Sequence, residues 1–356
     1  MRRSFRHTFS GLLAGLTGLA TAISYGATLT VTNLDDSGPG SLRDRIAAAN
    51  GGDTIVFSVT GTITLSTEIE FGKNLNISGP GANQLTVQAI NTVAMRLFHI
   101  NSGTITISGL TLTKGKRNGP GSGIYKGGGN LTLNDCVLSN NFTQSNSDGG
   151  GIYNEEGNLT LNGCLLSGNS ASGGSGGAIY SREGTVTLFG CTFTGNSATI
   201  GGGVSSNGPL TVNYCTFTFN TAAPGGGAAS GKGGAIENFG VGGSGTLVIE
   251  TCIFSNNRAF GQAADGGAIN TGGNSANWST IVSNSTFNDN SAGDTGGAIA
   301  NLSNNSLGGT PTVALSVTNC TFSANKANAG GAVANTGAGT SSASTLITSC
   351  TFHREG

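Results

Sequence analysis

Charge is scarce in this sequence. Of 356 residues, 9% are Asp, Glu, Lys or Arg, and the formal net charge is −1. That excludes the dense basic surface on which binding to nucleic acid or an anionic membrane depends. Histidine occurs three times, as His7, His99 and His353, and no CxxC pair exists. The usual zinc-ligand spacings are therefore missing, and neither a metal nor a cofactor is expected. No apolar run of 18 or more residues occurs, so no transmembrane helix is expected. Enzymes that cleave polysaccharides need convergent carboxylates, or a calcium-holding Asp cluster beside a base. No Asp-rich cluster falls on neighbouring repeats, and the tandem acidic pairs are Asp35–Asp36 and Glu155–Glu156. No catalytic residue is assigned.

What the chain does have is glycine, 63 residues of it, with 36% hydrophobic residues and 16 Phe. A disordered chain lacks this much apolar material, so a regular array with small residues at fixed turns is expected. The first residues read differently. "MRRSFRH" is basic, "GLLAGLTGLATAI" apolar, and Ser24 and Gly26 are small, as in a secretory leader over 1–26. A buried helix is the competing reading, weakened by the extended sequence that follows at once. Removal of Arg2, Arg3 and Arg6 would leave a net charge of −4.

From residue 121 the array is explicit. Cys136, Cys164, Cys191, Cys215, Cys252, Cys320 and Cys350 recur, with Ser285 in the one vacant place. Asn141, Asn169, Asn196, Asn220, Asn257, Asn290 and Asn325 each follow their anchor by five residues, and a Leu or Phe follows it by two. A Gly-Gly-Ala-Ile-like element separates the copies, and a third alternating stretch such as "NLTLN" precedes each anchor. Three period-two stretches per 24 to 37 residues predict one coil of a three-stranded parallel β-helix. Alternation turns Cys191 and Phe193 inward and Thr192 outward. Stacked coils then place Phe on Phe, Cys on Cys and Asn on Asn.

Secreted cysteines invite a disulfide framework. Here each coil holds one, the total is odd, and Ser fills one place. Parallel neighbours about 4.8 Å apart exceed the usual bridging distance. A ladder of free thiols acting as small apolar fillers is favoured over bridges. Upstream, residues 27–60 read as an N-terminal strand and a capping helix started by Ser41, with Leu42, Ile46 and Ala49 on one face. Residues 61–120 read as plainer coils, with Leu110 and Gly115 in the Cys and Asn places. Downstream, "CTFHREG" puts Glu355 in the Asn place without a cap. A missing C-terminal barrel or anchor, or a truncated reading frame, is the expectation.

The paired elements, for example "GGAI" at 176–179 with "FTGN" at 193–196, resemble the repeats of the polymorphic outer membrane proteins of Chlamydia. The opening "GSLRDRIAAANGGDTIVF" resembles the N-terminal segment of bacterial secreted β-helix proteins. The resemblance implies a right-handed, pectin-lyase-like parallel β-helix, all-β, exported and displayed at the bacterial surface as an adhesin-like scaffold. Its alternative is a polysaccharide lyase or hydrolase of the same fold. The expected partners are carbohydrate or cell-surface molecules.

One outer face collects chemistry. Tyr125, Tyr153 and Tyr180 share a register in three successive coils, one residue after an inward Ile, and should face solvent. Glu155 and Arg182 share a second register, and Glu156 and Glu183 a third. Together they form either plain outer decoration with a Glu155–Arg182 ion pair, or a ledge whose ring faces receive sugars. Outward Thr ranks such as Thr192/Thr194 raise ice or mineral binding, but Val137, Leu165 and Ile253 interrupt them. The connections after Ile236 are longer than earlier ones, and protruding irregular segments are expected there, notably 301–313.

Overall fold

The structure, a computed structural model, describes residues 26–225, 230–241, 245–274, 277–304, 312–337 and 341–355. The leader expected at 1–26 lies outside them, save Gly26, as does most of 301–313. The described chain winds as a right-handed parallel β-helix. Sheet I has 12 strands, running from Thr28–Val31 to Ser342–Thr348. Sheet II has 11, from Gly61–Leu65 to Thr351–His353, and sheet III has 10, from Ile69–Phe71 to Val333–Gly337. Strand pairs with the equivalent strand of the next coil, in parallel, as in Leu159–Asn162 on Val186–Phe189.

A fourth sheet was not expected. Seven strands of sheet IV, from Lys116–Asn118 to Ser291–Ala292, lie between sheets II and III along each coil. They are short and mixed in composition, as in Lys116–Asn118, Phe142–Gln144 and Ser197–Ile200. The middles of the longer late connections, where protruding segments are expected, lie outside the described residues. Where described, their extra residues lengthen regular strands: sheet III grows from Ile152–Asn154 to Ile269–Asn274, and sheet I gains Trp278–Ser283. The facing Thr271 and Thr280 hydroxyls are 2.8 Å apart.

Alternation fills the interior. Leu112, Leu138 and Leu166 continue in register into Phe193, Phe217, Phe254, Phe287 and Phe322, all buried. The rings from Phe193 to Phe352 stack face to face at 4.6–4.9 Å, because the coil rise nearly equals an aromatic stacking distance.

The cysteines lie one above another, unbridged, and six of the seven are buried. They do more than fill space. The Cys191 backbone N–H donates to Cys215 Sγ at 3.3 Å, and Cys215 N–H to Cys252 Sγ at 3.4 Å. Ser285 Oγ takes the same role from Cys252 N–H at 3.0 Å, which explains the single exchange.

At the start of the helix, Ser41 Oγ accepts from Asp44 N–H and opens the helix Leu42–Ala48. Its buried face, Leu42 and Ile46, with Ala49 just beyond, covers the first coils. Arg43 ties it down by donating to the Glu68 and Thr67 carbonyls at 2.8 and 2.7 Å.

Each Gly-Gly pair answers two demands. Gly176 has φ +67°, and a Cβ there would lie 2.2 Å from the Ile179 carbonyl. Gly177 has ordinary φ, but its Cβ would lie 2.2 Å from the Gly202 carbonyl of the next coil. Conformation requires the first glycine and close approach of coils the second.

Candidate functional site

The outer face of sheet III carries a column one residue after each inward Ile, Val or Phe. In coil order it reads Glu70, His99, Tyr125, Tyr153, Tyr180, Ser205, Glu237 and Asn270. The three tyrosines stand in one register, but Tyr125 and Tyr153 do not present their faces to solvent. Tyr125 and Tyr153 stack at 5.3 Å and 4°, and Tyr153 and Tyr180 at 5.3 Å and 28°. Arg96 lies 4.7 Å over the Tyr125 ring, and His99 meets that ring edge-on at 5.0 Å. Tyr153 is only 8% exposed. The coil rise that stacks phenylalanines inside stacks tyrosines outside, so both faces of Tyr125 and Tyr153 and one face of Tyr180 are taken. For Tyr125 and Tyr153 the expectation of ring faces free for sugars is corrected; their edges and hydroxyls are what remain.

Those edges are flanked by charge. Tyr125 Oη donates to Glu155 at 3.4 Å, Glu155 is ion-paired with Arg182, and Asn207 Nδ2 donates to Tyr180 Oη at 3.2 Å. Burial, then Glu155, pushes the Tyr153 phenol upward in pKa. Glu156 and Glu183 stand exposed one coil apart, with no ion-pair partner among the described residues. At the N-terminal end, Glu68 pairs with Arg96 at 3.2 Å and Arg117 at 3.1 Å. Burial, then Arg96, holds His99 below its usual pKa.

Two buried groups escaped the sequence reading. Lys126 points inward beside Asn154, and its ammonium donates to the Glu156 carbonyl. Burial lowers it to about 8. Asn154 and Asn238 serve similar corners in later coils, each donating to turn carbonyls at 2.8–3.1 Å. Lys126 sits two residues after inward Ile124, so alternation along Ile124–Lys126 was the signal that could have found it. Glu237 holds the tyrosine register two coils after Tyr180. Asn270 Nδ2 donates to it at 2.6 Å, and Lys232 and Asp265, themselves 3.7 Å apart, act on it through space.

Burial pushes the Glu237 carboxyl from 4.5 up to about 7. A folded pKa above the unfolded one contributes stability that is fully present below about 4.5 and lost as pH rises through about 7. Thermal melts are therefore expected to fall between roughly pH 5 and 8 in the native sequence and to flatten in Glu237→Gln. Equal pH dependence in both proteins would exclude Glu237 as the source.

Residues 163–182, 251–272 and 284–302 match the Chlamydia polymorphic membrane protein repeat. These three stretches of the chain are similar to that repeat. Among solved structures, the catalytic unit of the thermostable GH87 α-1,3-glucanase from Streptomyces thermodiastaticus strain HF3-3 is similar over 92% of this chain and 70% of that one. The identity is 14% and the TM-score 0.32. No curated protein matches the chain. Among the described residues, no group of three or more His, Cys, Asp or Glu could hold a metal ion, and no helix is long and apolar enough to cross a membrane.

Proposed function

We propose that this chain is a secreted or surface-displayed bacterial β-helical scaffold, adhesin-like and without catalysis, that contacts glycans through the outer face of sheet III. The observation that carries the reading is the tyrosine stack with its hydroxyl edges set among Glu155, Arg182 and Asn207 on one face. A rigid stack holds its hydroxyls at the coil spacing, so sugar hydroxyls meet fixed partners with little ordering cost. Single contacts of this kind are weak, and a displayed array gains by avidity.

The test is a glycan array read with multivalent protein. Tyr125→Phe and Tyr180→Phe keep the stack and remove the hydroxyls. Each is expected to weaken any hit by about fivefold, the worth of one hydrogen bond, with an unchanged melting temperature. No hits, or hits indifferent to both changes, would reject the reading. Glu237 and Asp265, on adjacent coils and close enough to act on one another through space, favour cleavage of a polysaccharide as the second reading. Release of reducing ends that Glu237→Gln or Asp265→Asn abolishes would establish it.

A further inference from the structure

Sheet II carries a second anomaly, on a different face. In each repeat coil its three-residue strand is bracketed by two left-handed corner residues, one just before the Cys position and one just before the Asn position. In the coil of Cys191 these are Gly190 and Gly195, with φ +62° and +63°. Glycine and asparagine take this conformation at little cost, whereas a bulky side chain there is rare. In the next coil the same corners hold Tyr214, φ +56°, and Phe219, φ +57°. The following coil has Thr251 and Asn256 at these corners, φ +54° and +57°, so the conformation recurs along the array. Among the described coils, the Cys215 coil is the one with large aromatics at both corners.

Packing does not account for the aromatics there. A Cβ at Gly195 would meet nothing within 4 Å, so this corner opens on solvent. Tyr214 is 57% exposed and Phe219 62%. Phe189, also exposed, sets its ring edge against Tyr214 at 5.3 Å, and exposed Ile253 follows on the next coil. Between the two corners the outward residues are Thr216 and Thr218, and Thr218 Oγ1 donates to Thr194 Oγ1 at 3.1 Å. No outward residue of the strands from Leu165–Ser167 to Ile253–Ser255 is charged. Tyr214 and Phe219 are five positions apart, at most about 18 Å of chain.

We propose that this face of sheet II, centred on the Cys215 coil, binds an uncharged polysaccharide, with Tyr214 and Phe219 as aromatic posts on either side of a threonine floor. Aromatic planes suit the C–H faces of pyranose rings, and the threonine hydroxyls suit their hydroxyls. The lack of charge matches a neutral chain and gives an anionic one nothing to pair with. Large aromatics kept exposed at left-handed corners, where neighbouring coils use Gly, Thr or Asn, are the pattern expected of binding residues.

The test uses depletion from solution by insoluble cellulose, chitin and β-1,3-glucan, with pectate as the anionic counterpart. Tyr214→Asn and Phe219→Asn install a residue that later coils use at the same corners. Each is expected to weaken binding to a neutral polymer about tenfold, as loss of one buried aromatic contact should, while the melting temperature holds or rises. Binding to none of the neutral polymers would overturn the proposal. So would binding that survives both substitutions, or a melting temperature that falls with them, which would make the aromatics structural. Loss of binding with Tyr125→Phe or Tyr180→Phe but not with the asparagine variants would assign it to sheet III instead. A concentration-dependent dimer that both asparagine variants dissolve, without polysaccharide binding, would make the face a protein interface and equally refute the proposal.

Discussion

Replacing Asn196 by alanine is expected to destabilise the protein by about 3 kcal/mol, several times the effect of Thr192→Ala on the outer face. Asn196 is fully buried, and its side chain makes four hydrogen bonds. Nδ2 donates to the Leu166 carbonyl at 2.9 Å and to Asn220 Oδ1 at 2.9 Å. Oδ1 accepts from the backbone N–H and from Nδ2 of Asn169, both at 3.0 Å. Alanine would orphan one backbone N–H, one amide N–H and one carbonyl, all in the interior, where each unmade bond costs about 1–3 kcal/mol. The corner explains why the bonds matter. The left-handed residue before each Asn breaks the backbone ladder between sheets II and IV, and the amide column bridges the break from Gly115 N–H, which Asn141 Oδ1 accepts at 2.9 Å, to Glu355. Urea unfolding of the variant beside Thr192→Ala measures the difference. A loss within about 1 kcal/mol of that control would show that water or relaxation replaces the amide.

The asparagine column was legible because identical residues at a fixed spacing can only stack once coils are parallel. The same logic read Phe193 through Phe352 as a ladder and the Ser41 helix as the first-coil cover. It failed where composition hides periodicity. Sheet IV is built from stretches of two to six residues such as Ser197–Ile200, too short and mixed to show an apolar alternation. Cys136 and its successors were read as apolar fillers because a thiol's role as acceptor at a broken corner is a geometric fact, visible only beside Ser285. Alternation correctly turned Tyr153 outward, yet outward was not exposed: a rise of about 4.8 Å closes the ring faces that the same rise brings into register. Tyr214 and Phe219 were invisible for the opposite reason. Their left-handed corners contradict aromatic preference, so no pattern built on preference could find them.

Phe254→Ala should cost more still, about 4 kcal/mol, and should change how the protein unfolds. Phe254 is fully buried between Phe217 and Phe287, 4.9 Å from each and within 6° of parallel. Truncation removes both stacks and leaves a void that two flat neighbouring rings cannot fill by rotamer change. Phe254→Leu is expected to cost only about 1 kcal/mol. Leu138 and Leu166 already hold this column in earlier coils, so the channel accepts a branched side chain. A solenoid's stability is the sum of its coils and the interfaces between neighbours, so a fault in mid-array weakens the coupling of the two sides. The alanine variant is therefore expected to unfold in urea in two steps, with a lower first midpoint and a smaller slope per step, where the native chain shows one. A single transition with an unchanged slope would mean that the coupling runs through the asparagine and cysteine columns, leaving the phenylalanine stack as filling alone.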